Sequence, residues 1–154
     1  MKNIGFIIVF FFNISNLFSQ SITNKLLSKN IGMYFDCSLN EKIDLEVNDT
    51  TYYLFCSFQN MNYSMITDIG SIFCGNVVCM EDLLIDLKKI NELYNQNPAI
   101  EYKVNSGGCS IELRNKNIYI YDKDKFTYLT PKYLLKYIEW LSEVLKVLDE
   151  KRIK

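Results

Sequence analysis

Apolar residues recur at spacings of three and four through the segment 80–96. Met80, Leu83, Leu84, Leu87, Ile90 and Tyr94 fall on one side, and Asp82, Asp86, Lys89 and Glu92 fall largely on the other. That period predicts an amphipathic helix with one face in a core. Glu81 and Asp82 stand in its expected first turn, where carboxylates suit the positive end of the helix dipole, and Asn97-Pro98 closes it. A second stripe, Leu134, Ile138, Leu141, Leu145 and Leu148, with Trp140 near its edge, predicts a final helix. Thr130 caps it, and Pro131 suits the first helical position, whose N–H has no partner within the helix. A shorter first helix is expected over 21–30, carrying Ile22, Leu26 and Leu27 on one side and stopping near Gly32.

Elsewhere the period is two. Ile43, Leu45 and Val47 alternate with Asp44 and Glu46, as in a half-buried strand. Asn48-Asp49 signals a turn, and 51–58 is rich in β-branched and aromatic residues, so a hairpin is expected. The stretch 63–74 holds another strand, bent at Gly70. Four more strands are expected at 100–104, 110–114, 118–121 and 126–129. Their turns are Ser106-Gly107-Gly108, Asn115-Lys116-Asn117 and Asp122-Lys123-Asp124-Lys125. The order reads α-βββ-α-βββ(β)-α. Short local connections favour antiparallel sheet with the helices on one face, an α+β domain spanning 20–154.

The N-terminus changes the picture of where this domain works. Lys2 precedes an uncharged apolar run over 4–12, and Asn13 and Asn16 interrupt it before Ser19-Gln20. The run has the length of a signal-peptide core, about 7–15 residues, and falls short of the roughly 20 that a membrane span needs. Residues 1–19 therefore read as a cleaved export signal, and the mature chain has no second apolar span. A secreted or periplasmic location is expected, and the short Lys2 n-region suits a bacterial envelope.

Charge and missing residue types then exclude several functions. The chain holds 17 basic and 18 acidic residues, which leaves no basic field for a phosphate backbone, so nucleic acid is not the expected partner. It has no histidine. That removes the usual general base, the Ser-His-Asp and Cys-His arrangements, and the commonest metal ligand. No glycine-rich phosphate loop is present, and no metal or cofactor is expected. Asp82 and Asp86, one turn apart, read as a solvated helix face. Asp122 and Asp124 alternate in a turn without the glycine and distal glutamate of a calcium loop.

Five cysteines, Cys37, Cys56, Cys74, Cys79 and Cys109, remain in the mature part. In an oxidising compartment they read first as disulfides, at most two of them, with one thiol left over. Cys74 and Cys79 make the best local candidate, because Gly75-Asn76 can reverse the chain between them. The competing reading is that Cys56 and Cys74 are small buried hydrophobes within strands. Cys109 has no local cation to activate it as a nucleophile.

Tyr119 and Tyr121 alternate with Ile118 and Ile120, so helices covering the isoleucine face leave two tyrosines on open sheet. They form the candidate binding surface. The expected role is a non-enzymatic exported binding protein acting on a protein or envelope component, as an inhibitor or immunity protein does. The alternatives are a small hydrolase using paired carboxylates, such as Asp68 with Glu81 or Asp82, and a structural envelope component.

Overall fold

A computed structural model describes residues 21–32, 34–63 and 68–152. The expected export signal and its cleavage point lie outside them. Among the described residues, eight strands and two helices follow in the order ββββ-α-ββββ-α. Strands β1 (Ser21–Gly32), β2 (Phe35–Asp44), β3 (Asp49–Gln59) and β4 (Ile69–Cys74) form one antiparallel sheet in sequence order. Helix α1 (Val77–Gln96) leads to β5 (Tyr102–Ser106), β6 (Cys109–Arg114), β7 (Asn117–Asp122) and β8 (Lys125–Leu129), a second such sheet, and α2 (Pro131–Arg152) ends the chain. The result is a mixed α+β domain.

The segment expected as a first helix is therefore a strand, paired with β2 along its whole length from Ser21↔Asp44 to Gly32↔Phe35. Leu26 and Leu27 misled the period. The pairing register shifts between Lys25 and Leu27, and at this bulge both leucines are half-buried against the core. A regular strand would send one of the two outward. Ser21, Thr23, Asn24 and Asn30 are also weak helix formers. The strand is an edge, and Lys25, Lys29 and a second register shift before Gly32 guard it against pairing with another chain.

The β2–β3 hairpin also differs from expectation. Asp44 pairs with Asp49, and the carboxylate of Asp44 accepts the N–H groups of Glu46 (3.0 Å) and Val47 (3.4 Å). Residues 45–48 are thus the turn, closed by Asn48 with φ 50°, and Leu45 and Val47 are exposed on it instead of pointing inward. The inward row lies earlier: Phe35, Cys37 and Leu39 on β2, opposite Phe58, Cys56 and Leu54 on β3.

Helix α1 begins three residues before its expected start. Asn76 caps it, its side-chain oxygen accepting the N–H of Cys79 at 2.8 Å, so Glu81 and Asp82 lie beyond the first turn. Thr130 caps α2 as expected, its hydroxyl accepting from Tyr133 N–H at 3.4 Å. The buried stripe of α2 is Leu134, Tyr137, Trp140, Leu141, Val144 and Leu148, while Ile138 and Leu145 are only partly covered. Aromatic contacts set this rotation: Tyr137 meets Phe35 edge-on at 5.3 Å and stacks on Trp140 at 6.3 Å.

Inner faces of both sheets and the inner stripes of both helices form one hydrophobic cluster. The sheets are latched where β4 would otherwise present an open edge. Ser71 N–H donates to the Asp122 carboxylate (2.9 Å), Phe73 N–H to the Gly107 carbonyl (3.1 Å), and Lys125 to the Ile69 carbonyl (2.8 Å). Turns of the second sheet thus satisfy alternate edge groups of the first. Asn60, only 2% exposed, fastens the same region, accepting Phe126 N–H (3.2 Å) and Asn62 N–H (3.1 Å) and donating to Asp68 (3.0 Å).

Candidate functional site

The second sheet has one covered and one open face. Its inner rows, Val104–Ile111–Ile120–Thr127 and Tyr102–Leu113–Ile118–Leu129, follow the strand register and carry the buried side chains. Its outer rows are Lys103–Glu112–Tyr119–Tyr128 and Asn105–Ser110–Tyr121–Phe126. Tyr119 and Tyr121, both half-buried, therefore stand opposite the buried Ile118 and Ile120, on the face that no described helix covers. Two tight turns hold this alternation. Gly107 and Gly108 (φ 60° and 71°) and Asn115 and Lys116 (φ 51° and 63°) give each two-residue connection the left-handed pair that a hairpin turn needs.

Aromatic rings gather on the β7–β8 half of this face. Tyr119 and Tyr121 lie 6.1 Å apart, and Phe126 sits 6.1 Å from the first ring and 5.8 Å from the second. Arg114 lies 5.6 Å above the Tyr119 ring and donates to the Tyr121 hydroxyl at 3.3 Å, which orients both phenols. The β5–β6 half is polar and carries a Lys103–Glu112 ion pair at 2.6 Å.

Beside the polar half, α1 rises as a wall. Together they enclose an open cleft of about 820 Å³. Its floor is Lys103, Asn105, Ser110, Glu112 and Tyr121, its wall Cys79, Asp82, Ile85 and Asp86, and its end the turn from Ser106 to Cys109 with Lys123 nearby. Ser106, 8% exposed, and Ser110 bring buried hydroxyls to it that have no hydrogen-bond partner among the described residues. The cleft is the feature that sequence reasoning missed. Its floor was legible as the polar side of β5 and β6, but the approach of α1 to the β5 edge is a long-range contact.

The cysteines divide into two groups. Cys37 and Cys56 are directly opposed on β2 and β3, with Cα atoms 4.0 Å apart, and form a disulfide. The Tyr137 hydroxyl lies 3.3 Å from the Cys56 sulphur, placing the bond under α2. Cys74, Cys79 and Cys109 are free thiols, so the Cys74–Cys79 bridge anticipated from their spacing is open here. Burial, then the hydrogen bond and charge of Cys79, raise the Cys74 thiol far above its ordinary range. Burial, then the charges of Asp122 and Cys79, push Cys109 up to about 12. Neither buried sulphur is a ready thiolate.

The carboxylates named for a hydrolase do not share a pocket. Asp68 is held by Lys125 (2.6 Å) and Asn60 at the start of β4, and those partners keep its carboxyl below the usual range, while Asp82 lines the cleft. Asp122 spends its carboxylate on Ser71. Among the described residues no three histidine, cysteine or acidic side chains converge as a metal site. No described helix is long and apolar enough to cross a membrane. Compared with known proteins, the chain matches no family model, no curated protein and no solved structure.

Proposed function

We propose that this chain is an exported, non-enzymatic binding protein that grips a protein or envelope component across the open face of its second sheet. One observation carries the reading. The rings of Tyr119, Tyr121 and Phe126 form a cluster on a face that no described helix covers, continuous through Tyr121 with a polar cleft. Tyrosine contributes rigid contact area with a polar tip, and the cleft adds charges and hydroxyls that can fix orientation. The Cys37–Cys56 disulfide suits an oxidising compartment outside the cytosol.

Capture from envelope extracts with the wild-type chain, against Tyr121→Ala and a control at the exposed Leu45 in the β2–β3 turn, tests this. A saturable partner lost about 30-fold or more with Tyr121→Ala, and kept with Leu45→Ala, supports it, because central aromatic anchors carry about 2 kcal/mol or more. Equal retention by both variants sinks it. Asp82 and Asp86 both line the cleft, which keeps a carboxylate hydrolase as the second reading. Turnover of a substrate panel that Asp82→Asn and Asp86→Asn each abolish would favour it.

A further inference from the structure

Three free thiols stand on the elements around the start of α1. Cys74 ends β4, Cys79 lies in the first turn of α1, and Cys109 opens β6. The sulphur of Cys74 is fully buried under the β5–β6 turn, 3.4 Å from where a side chain at Gly107 would start, and of the side chains that raise its pKa Cys79 acts most strongly. Cys109 is buried too, but its thiol turns away, donating to the Ser106 carbonyl at 2.9 Å. Cys79 alone of the three is partly exposed, and it lines the cleft.

We propose that Cys74 and Cys79 are a dithiol that closes to a second disulfide by exchange entering at Cys79, leaving Cys109 as the one unpaired thiol of the chain. Access and position in the chain select this pair. Cys37–Cys56 takes two of the five sulphurs, and an odd number must leave one over. An incoming disulfide reaches Cys79 from the cleft, and of the two buried thiols that of Cys109 is held by the Ser106 carbonyl, whereas Cys74 lies just across the Asn76 cap from Cys79. Cys79 and Cys74 flank the Asn76 cap, whose extended backbone turns the strand end back against the first helical turn.

The chemistry is ordinary exchange with a small or protein disulfide. Deprotonated Cys79 attacks one sulphur of the reagent, whose S–S bond breaks, and the other sulphur departs as a thiol after taking up a proton. Cys74 then gives up its proton and attacks the Cys79 sulphur of the mixed disulfide, displacing the second reagent thiol. The two protein thiols lose two electrons and two protons, and one reagent disulfide becomes two thiols. Closing the bond ties the end of β4 to the start of the cleft wall.

The full chain, isolated from an oxidising compartment, is equilibrated in glutathione buffers of graded poise, quenched with acid, alkylated and mapped without reduction. The expected oxidised form carries Cys37–Cys56 and Cys74–Cys79, each bridge lighter by two hydrogens, with Cys109 the one alkylated residue, labelled only after unfolding. Under partial reduction Cys79 labels before Cys109, and Cys74→Ser accumulates a glutathione mixed disulfide at Cys79. A bridge from Cys109 to either partner overturns the proposal. So does labelling of both Cys74 and Cys79 at every poise that keeps Cys37–Cys56 closed. The wild-type map decides the matter even where a variant fails to fold, and it does so independently of any binding partner.

Discussion

Single residues carry two of the constraints that make the arrangement unique. Gly70 faces Phe58 across β3 and β4, and a Cβ there would lie 2.3 Å from the Phe58 ring. Phe58 has no free space to retreat into, because it is buried and meets the Phe35 ring at 6.0 Å. Gly70→Ala is therefore expected to destabilise by about 2–3 kcal/mol through overpacking, read as a lower urea midpoint at unchanged slope. Sequence flagged Gly70 as a bend, whereas its reason is a ring in the next strand. Asp68 supplies a pH dependence. Its hydrogen bonds to Lys125 and Asn60 lower its folded pKa below the ordinary 3.8, so the folded state holds the carboxylate more tightly than the unfolded chain does. The stability this confers is complete above pH 3.8 and is lost as pH falls through the lower folded value. Urea unfolding of wild type and Asp68→Asn across acid pH is expected to show a gap that closes in that window. A gap constant down to the lowest pH would remove the ion pair from the account.

At the scale of elements, long periodic segments were legible and edges were not. Both long helices and all four strands of the second sheet follow from their period, because each buries one stripe or one face. The first strand was not legible, since two adjacent leucines at a bulge imitate a helical spacing. A separate error hid the disulfide. A hairpin centred on residues 45–48 puts Cys37 directly opposite Cys56, but reading 43–47 as strand moved the turn and broke that register. The bond closes a loop across a sequence separation of 19 residues, and chain-entropy reasoning assigns about 3 kcal/mol to a loop of that size. Replacing both cysteines by alanine is expected to cost about that much in equilibrium unfolding, with reductant lowering the wild type by more than the double variant. A variant as stable as the oxidised wild type would mean that the β2–β3 pairing and α2 already hold the hairpin without it.

The whole molecule depends on how two sheets, each a simple meander, are joined into one core. Nothing in either sheet's own pattern specifies that joint, which is why sequence supplied the rows of Tyr119 and Tyr121 but not the cleft beside them. The joint consists of polar latches along β4. Asp122 is central, because its carboxylate accepts both the backbone N–H and the hydroxyl of Ser71, at 2.9 and 3.2 Å. Asp122 also ends β7, next to Tyr121, so the latch and the open tyrosine face share a strand. Asp122→Ala leaves the Ser71 N–H without its charged acceptor, a loss of about 1.5–3 kcal/mol for a hydrogen bond to an ionised group. Local opening at β4 then becomes easier than global unfolding. Hydrogen exchange at Ser71 is expected to accelerate by roughly 10- to 100-fold, and at Phe73 by less, because Gly107 still accepts there. Amides in the centre of α1 and α2 should keep their protection. Uniform acceleration across the chain would show instead that the sheets and helices open as a single unit, with no separable joint at β4. Unchanged exchange at Ser71 would show that water replaces the carboxylate without loss, and that the core alone holds the two sheets together.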